Sequence, residues 1–240
     1  MESLSSQANY EIDGKKYKQI LRNNRKKLLR SVDPSDTLID SIDDIFHGKL
    51  DGIKSYPTTT VKALKILKVP IGENPDTIKS FICALKDNNH KHVADVFMTN
   101  SAEHLMSDEH HELLTKKWTD LCKYLDPESG ILDQLISRKV FSLSDKETVD
   151  AVKTWNDKVG KIVEILSRKT NSDFDQFIES LRAVGQEHVA CVLTGDGSLP
   201  IKDATLKRLA KNRKKNYRKH GFRIYSVTHN AGNYGCFHED

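Results

Sequence analysis

The sequence predicts an all-α protein made of antiparallel helical bundles. Apolar residues recur at intervals of three and four along most of the 240-residue chain, which is the period of an α-helix. The connections between these apolar stripes are short and contain residues that favour helix ends, such as Asp-Pro, Asn-Pro and Gly. Strand-like alternation of apolar and polar residues is confined to "FRIYSV" (222–227). Helices joined by short loops pack as bundles.

The composition fits a globular chain with much surface per residue. Hydrophobic residues make up 37% and charged residues 30% of the chain, whose length suits one large domain or two small ones. The start of the chain lacks the apolar core of a signal peptide, and no run reaches the roughly 20 apolar residues of a membrane span. The cysteines form no C-x-x-C pair (Cys83, Cys122, Cys191, Cys236). We therefore expect reduced thiols in the cytosol or the nucleus, without disulfides or a zinc site.

Charge is distributed unevenly along the chain. Residues 15–97 contain 16 Lys/Arg against 10 Asp/Glu, a net +6, whereas residues 108–197 contain 12 against 17, a net −5. Residues 198–240 contain 10 against 3, a net +7. Such asymmetry informs about partners rather than about the fold. It would also allow a basic first half and an acidic second half to mask each other.

An internal repeat covers most of the chain. The segment "SFICALKDNNHKHVADVFMTN" (80–100) aligns without gaps to "QFIESLRAVGQEHVACVLTGD" (176–196), with seven identities at an offset of 96. Upstream, "LLRSVDPSDTLIDSI" (28–42) aligns to "LCKYLDPESGILDQL" (121–135) at an offset of 93. The alignment predicts a duplicated module of about 85–90 residues followed by a short tail.

The first half of the second copy predicts three helices. The segment "HELLTKKWTDLCKYL" places apolar residues on one stripe, as an amphipathic first helix does. Asp126-Pro127 is predicted to start the second helix, with Asp as the cap and Pro in the first turn. A capping box of Ser144 and Glu147 is predicted to start the third helix, which runs through Val149.

The second half of this copy predicts three more helices. The fourth, "WNDKVGKIVEILSRK", buries an apolar stripe, and the fifth, "FDQFIESLRAV", is capped by Asn171 or Ser172. Gly185 is predicted to stop the fifth helix, and "EHVACVL" forms the short sixth. In the sixth, Val189, Val192 and Leu193 are predicted to face the core.

The first copy predicts the same order of helices from a less regular pattern. Its first two helices are "QILRNNRKKLLRSV" and "DPSDTLIDSIDDIF", and its third is short, within "GKLDGIKS". Pro57 interrupts the middle before the fourth helix, "TVKALKILKV". Asn74-Pro75 opens the fifth helix, and "HKHVADVF" forms the sixth.

A Cys–His pair in "HVACVL" raises a catalytic or metal-binding alternative. His188 stands three residues before Cys191, a spacing that brings both to one side of a helix. In the first copy the equivalent positions are His92 and Asp95, so the thiol does not persist while the imidazole does. We interpret the pair as structural. No caspase-type nucleophile loop and no Gly-rich phosphate loop is present, so neither an enzyme nor a cofactor is expected.

Each module is predicted to have six helices, with Asp-Pro after the first and a closing helix of the pattern "(G/N)-(Q/H)-x-H-V-A-x-V-(L/F)". This arrangement resembles the caspase recruitment domain of the death-fold superfamily. The resemblance covers about residues 15–97 and 108–195, and Pro57 departs from the family pattern. It implies two six-helix antiparallel bundles in tandem. The expected organisation is an extension (1–14), module 1 (15–98), a linker (99–107), module 2 (108–196) and a partly disordered basic tail (197–240).

The resemblance implies binding between domains of the same family, in which a basic face of one contacts an acidic face of another. The basic face is predicted from the first and fourth helices: Arg22, Arg25, Lys26, Lys27 and Arg30 in module 1, and Lys116, Lys117, Lys158 and Lys161 in module 2. The acidic face is predicted from the second and third helices: Asp40, Asp43 and Asp44 in module 1, and Asp133, Glu147 and Asp150 in module 2. The implied partners are initiator caspases or scaffolds with such domains, in apoptotic or innate-immune signalling, and further copies of the chain.

The basic tail leaves other functions open. We interpret its run "KRLAKNRKKNYRKHGFR" (207–223) as a solvated or disordered segment. The alternatives are contact with nucleic-acid phosphates, with an anionic membrane or with nuclear import receptors. The cationic residues of this candidate anion-binding tail are Lys207, Arg208, Lys211, Arg213, Lys214, Lys215, Arg218 and Lys219. The alternatives to an adaptor are therefore a nucleic-acid-binding helical protein or a truncated decoy that regulates assemblies formed by other proteins.

Overall fold

A computed structural model describes residues 12–195 and 203–219, and within them the fold is all-helical, with one isolated antiparallel bridge between Leu105 and Thr170. The chain divides into two compact units: unit 1 is Met1–Ser107 with Ser167–Asn171, and unit 2 is Asp108–Leu166 with Ser172–Asp240. The helices of unit 1 are α1 (Gly14–Asn23), α2 (Arg25–Ser31), α3 (Asp36–Phe46), a 3-10 helix (Ile53–Ser55), α4 (Thr59–Lys68), α5 (Pro75–Asp87) and α6 (Lys91–Thr99).

The second half of the chain contains eight helices in its described part. They are α7 (Asp108–Lys116), α8 (Trp118–Tyr124), α9 (Ile131–Ser137), α10 (Leu143–Ala151), α11 (Trp155–Leu166), α12 (Asn171–Ala183), α13 (Glu187–Thr194) and α14 (Asp203–Lys219). Six segments, α7 with α8 through α13, occupy the positions predicted for the second copy. Helix α14 lies in the segment predicted to be a tail.

Each predicted first helix is broken into two pieces. The break between α1 and α2 falls at Asn24 (φ −112°, ψ 15°), and the break between α7 and α8 falls at Lys117 (φ −91°, ψ 7°). Both residues leave helical geometry, and the Asn24 side chain donates to the carbonyl of Ile20 at 3.1 Å. The two breaks are 93 residues apart, the offset of the upstream repeat. Periodicity alone did not locate them, because the apolar stripe continues across a short break.

The core of unit 1 is built around Tyr17. Its ring stacks on Phe97 with centroids 4.6 Å apart and meets Phe81 edge-on at 6.1 Å. Its hydroxyl donates to the carbonyl of Leu67 at 2.8 Å, which satisfies the one polar atom of a fully buried side chain. Burial raises the pKa of Tyr17 well above its usual value, so the phenol stays neutral.

Two predicted helix starts in unit 2 are wrong. Asp126-Pro127 lies in the turn before α9, which begins after Gly130 in left-handed backbone (φ 88°), a conformation that favours glycine. The capping box of α10 is formed by Ser142 and Asp145, two residues before the predicted pair. Burial of Val140 and Phe141 fixes where the chain turns, and Ser142 is the first residue beyond them that can cap.

The closing helices begin in the same way in both units. Asn89 (φ 64°) and Gly185 (φ 72°) adopt left-handed backbone just before α6 and α13, and they are 96 residues apart. In α13, Val189 and Leu193 are buried as predicted, but Cys191 is also buried and Val192 is only half-buried. The small thiol therefore takes a core position that was predicted for Val192.

A pair of hydrogen bonds joins the end of the first helix to the start of the closing helix in each unit. In unit 1 the backbone N–H of Asp33 donates to Nε2 of His90 at 2.9 Å, and Nε2 of His92 lies 3.2 Å from the carbonyl of Ser31. We call this pair of interactions the closing contact. It connects the two ends of the bundle through polar atoms.

The closing contact of unit 2 keeps one histidine and has a glutamine in place of the other. The N–H of Asp126 donates to Oε1 of Gln186 at 2.7 Å, and Nε2 of His188 lies 3.2 Å from the carbonyl of Tyr124. The Gln186 amide also donates to the carbonyl of Asp126 at 3.0 Å and to Oγ of Ser129 at 2.7 Å. Gln186 thus satisfies both backbone polar groups of Asp126 while being fully buried.

Replacing Gln186→Ala is expected to lower the free energy of unfolding of unit 2 by about 2–4 kcal/mol, because buried backbone groups lose their partners. Urea unfolding followed by circular dichroism measures the change. The matched control Gln19→Ala alters an exposed residue of α1 and should stay within about 0.5 kcal/mol. Equal effects of the two substitutions would contradict a structural role for the closing contact.

Acidification is expected to destabilise unit 1 through its closing contact. Burial lowers the pKa of His92 to about 4, with a further contribution from the neighbouring His90, whose own pKa is also lowered mainly by burial. The imidazole of His92 binds a proton near pH 6.5 in the unfolded chain but only near pH 4 in the folded chain. The free energy of unfolding therefore has its full value above pH 6.5 and decreases as the pH falls toward 4. His92 alone contributes a loss of about 2 kcal/mol at pH 5. Urea unfolding at pH 7.5 and pH 5 tests this, and His92→Gln should flatten the profile.

Candidate interaction surfaces

The Cys–His pair is part of the core packing rather than a reactive centre. The His188 ring faces the carbonyl of Tyr124, and the Cys191 sulfur lies 3.8 Å from Oε1 of Glu187. Burial is the main reason that the pKa of His188 is lowered, which favours the neutral imidazole. Within residues 12–195 and 203–219, no group of three His, Cys, Asp or Glu residues is arranged to hold a metal ion. His92 makes the same contact in unit 1, which explains why the imidazole is present in both copies.

Unit 1 presents a basic face on its first two helices. Between Gly14 and Ser31 the sequence has eight Lys or Arg residues and no acidic residue. Of the predicted residues, Arg22, Arg25 and Lys26 are exposed. Lys27 and Arg30 are half-buried, and Nζ of Lys27 donates to the carbonyl of Ala102 at 3.2 Å. The exposed Lys15 and Lys18 extend the face and were not predicted.

Unit 1 also presents an acidic face, on α3. Asp40 and Asp44 are exposed one turn apart, and Asp36, which was not predicted, continues the row by one more turn. Asp40 forms a solvent-exposed ion pair with Lys54 at 2.6 Å. Asp43 has a different role, because its carboxylate accepts the N–H of Leu50 at 2.8 Å and closes the turn after α3. The exposed row is therefore Asp36, Asp40 and Asp44.

The predicted basic residues of unit 2 are paired within the unit. Lys116 lies 3.7 Å from Glu112, Lys117 lies 3.9 Å from Asp120, and Lys161 lies 2.8 Å from Glu164. Exposed pairs of this kind contribute little to stability, but they do reduce the net positive charge of the surface. These lysines present a weaker basic face than that of unit 1.

Lys158 does not lie on an exposed face at all. Its side chain is only 6% exposed, and Nζ lies 2.6 Å from Glu128 and 3.9 Å from Asp150. The inclusion of Lys158 in the basic face is therefore wrong: a buried ammonium needs a partner inside the fold and cannot also serve one outside. The helical period placed Lys158 correctly on α11 but did not indicate which polar residue turns inward.

The predicted acidic residues of unit 2 differ in their availability. Glu147 is exposed on α10. Asp133 lies 2.5 Å from Nζ of Lys146, and Asp150 takes part in the Lys158 group. The hydrogen bond to Asp133 raises the pKa of Lys146, so this ion pair persists at neutral pH. Glu147 is therefore the predicted acidic residue with the most open surroundings in this unit.

Helix α14 packs on unit 2 through polar side chains. Asn212 donates to the buried carboxylate of Asp126 at 2.8 Å, and Asn216 donates to Glu128 at 3.3 Å. The guanidinium of Arg213 donates to the carbonyls of Cys122 and Lys123 at the end of α8. The same guanidinium lies 5.2 Å from the ring centre of the buried Trp155. Leu209 adds the apolar contact, being only 3% exposed.

This packing divides the predicted anion-binding residues into two groups. Arg213 points inward and is used by the fold. Six other cations are exposed on the outer side of α14: Lys207, Arg208, Lys211, Lys214, Lys215 and Arg218. The side chain of Lys219 and residues 220–240, including the end of the predicted basic run, lie outside the described residues.

The all-helical fold of the described residues is consistent with the death-fold class. The sequence model of the caspase recruitment domain family matches residues 111–196, so a caspase recruitment domain occupies most of the second half of the chain. No curated protein matches the chain. Among the described helices, none has the length and apolar character that crossing a bilayer requires.

A paired substitution tests the structural role of Lys158. Lys158→Gln is expected to lower the free energy of unfolding of unit 2 by about 1–3 kcal/mol, because Glu128 loses its buried partner. The matched change Lys161→Gln, on the same helix, removes a partly exposed pair and should cost less than about 0.5 kcal/mol. Chemical denaturation of both variants at neutral pH compares them directly. A larger effect of Lys161→Gln would contradict this assignment.

Proposed function

We propose that the protein is a non-enzymatic signalling adaptor with two caspase recruitment domains in tandem, residues 15–98 and 108–196, joined by the linker 99–107. It binds other proteins that contain such domains, and the observation that carries the proposal is the family match of residues 111–196. Domains of this family typically bind one another and act in the cytoplasm, which is the compartment we propose.

Three kinds of correspondence support a second domain in residues 15–98. The helices α2, α5 and α6 begin 93, 96 and 96 residues before α8, α12 and α13. The breaks at Asn24 and Lys117 and the left-handed residues before the closing helices are also equivalent. Finally, the closing contact joins equivalent backbone atoms in both units while using His90 in one and Gln186 in the other. The middle differs, since a 3-10 helix of three residues stands where α10 has nine.

The charges of unit 1 support an assembly of heterologous contacts. Its basic face on α1 and α2 and its acidic row on α3 belong to one unit, so each copy can offer one face to the next. Contacts that join unlike faces need not close into a ring, and they generate filaments when the rotation does not close. Initiator caspases or scaffolds with the same domain would join such an assembly through the same faces.

A charge-swap experiment tests this arrangement with the full chain. The variant Arg25→Glu with Lys26→Glu should lose self-assembly, because two carboxylates within its basic face repel the acidic row of the next copy. The variant Asp40→Lys with Asp44→Lys should lose it as well, because both of its faces become basic. An equimolar mixture should assemble again, since each mutated face then meets its complement. Sedimentation velocity and negative-stain electron microscopy for filaments measure the three samples.

The control reverses two charges away from both faces. Lys79→Glu with Lys86→Glu alters exposed positions of α5 and should leave assembly unchanged. Binding of each variant to a panel of purified caspase recruitment domains, measured by interferometry, extends the test to other partners. If the protein is instead a decoy, it should bind a caspase recruitment domain through one face and shorten the filaments that this domain forms. Assembly by each swap variant alone would refute the proposed faces.

A further inference from the structure

The outer side of α14 carries a continuous row of cations that the fold holds in a fixed direction. The residues buried on the unit, Leu209 and Asn216, lie two turns apart on one side of the helix. At 100° per residue, Lys207, Lys211, Lys214 and Arg218 lie within about 60° of one another on the opposite side. They extend over roughly 16 Å of helix at a rise of 1.5 Å per residue. We call these four residues the cationic ridge.

The ridge has little compensating charge on its own helix, in which Asp203 at the first position is the one acidic residue. Between residues 204 and 219 the sequence has eight Lys or Arg residues and no Asp or Glu. None of the four ridge residues forms an ion pair with another residue in the part of the chain that the structure describes. The contrast with Lys116, Lys117 and Lys161 is direct, because each of those lies beside a carboxylate. The ridge is therefore a strong local source of positive potential.

The composition of the ridge favours phosphates over a protein partner. Protein interfaces have an apolar or aromatic centre and are depleted in lysine, whereas three of the four ridge residues are lysines. Among the side chains of α14 that the structure describes, the large apolar residue exposed beside them is Leu206, at 39%. Lysines on a rigid helix are well suited to the backbone of a nucleic acid, which carries about one charge per 1.7 Å of duplex axis.

The docking of α14 also disfavours a membrane surface. A helix that lies in a bilayer interface needs an apolar face to insert between lipids. On α14 that side faces unit 2, where Leu209 is buried and Asn212, Arg213 and Asn216 form hydrogen bonds. The docked helix therefore offers charge without an insertable face.

We propose that the cationic ridge of α14 is a binding site for the phosphate backbone of nucleic acid, independent of base sequence. The site is built on the caspase recruitment domain of unit 2, so nucleic acid and a protein partner bind different surfaces of the chain. A strand that binds several chains raises their local concentration and favours contacts between them.

The test measures binding of the full chain to fluorescent 20-base-pair RNA and DNA duplexes between 50 and 200 mM KCl. The variant Lys207→Gln with Lys211→Gln and Lys214→Gln should reduce the slope of log affinity against log salt by about 2–3, since each phosphate contact contributes about 0.9. Its affinity at 50 mM KCl should fall by roughly 10-fold or more. Two duplexes of unrelated sequence should bind the unmodified chain within about 2-fold of each other.

The matched control removes the same number of positive charges from another part of unit 2. Lys116→Gln with Lys139→Gln and Lys153→Gln alters three exposed lysines of unit 2 and should change affinity by less than about 2-fold. An equal loss of affinity in the control variant would overturn the proposal, because net charge alone would then account for the binding. Unchanged affinity in the ridge variant would overturn it, and so would binding to phosphatidylserine vesicles without binding to either duplex. Because the ridge lies apart from the charge-swap positions in sequence, self-assembly of the ridge variant at 150 mM salt reports on the adaptor proposal separately.

Discussion

The closing contact is the interaction on which the shape of each unit depends. In a bundle of short helices, two segments have to be held in place: the one that follows the first helix and the one that precedes the last helix. In both units an Asp-Pro dipeptide follows the first helix, and the proline cannot donate a hydrogen bond. The aspartate itself lies beyond the last helical residue, so its N–H has no helical carbonyl to bind, and a side chain just before the last helix supplies the acceptor. The first and last helices are thereby fixed side by side.

That constraint leaves the outer faces free to differ. Unit 1 concentrates cations on its first two helices and carboxylates on α3, so its two faces have opposite signs. Unit 2 pairs most of its charges internally and takes its positive surface from α14 instead. The same core can thus present different electrostatic surfaces, because the closing contact uses backbone atoms and side chains on the inside of the bundle.

The helical period of the sequence predicted some features of the fold and missed others. The apolar stripes predicted the helical class and the buried residues of α11 and α12, because burial repeats with the helical period. The helix starts near Asp126 and Ser144 were wrong, since several residues near a turn can cap and the core decides among them. Lys158 was misplaced because a buried ammonium has no distinctive sequence signal. The docking of α14 could not be predicted either, since Asn212, Arg213 and Asn216 look like any other polar residues in a basic run.

Helix α14 also changes where the caspase recruitment domain of unit 2 should be considered to end. The family match stops at residue 196, yet Asp126, Glu128 and Trp155 are covered by side chains from residues 212–216. A fragment cut at the family boundary would uncover the ring of Trp155 and leave the Asp126 carboxylate without its Asn212 partner. Fragments of this domain intended for crystallisation or for transfer into another protein should therefore extend at least to residue 219.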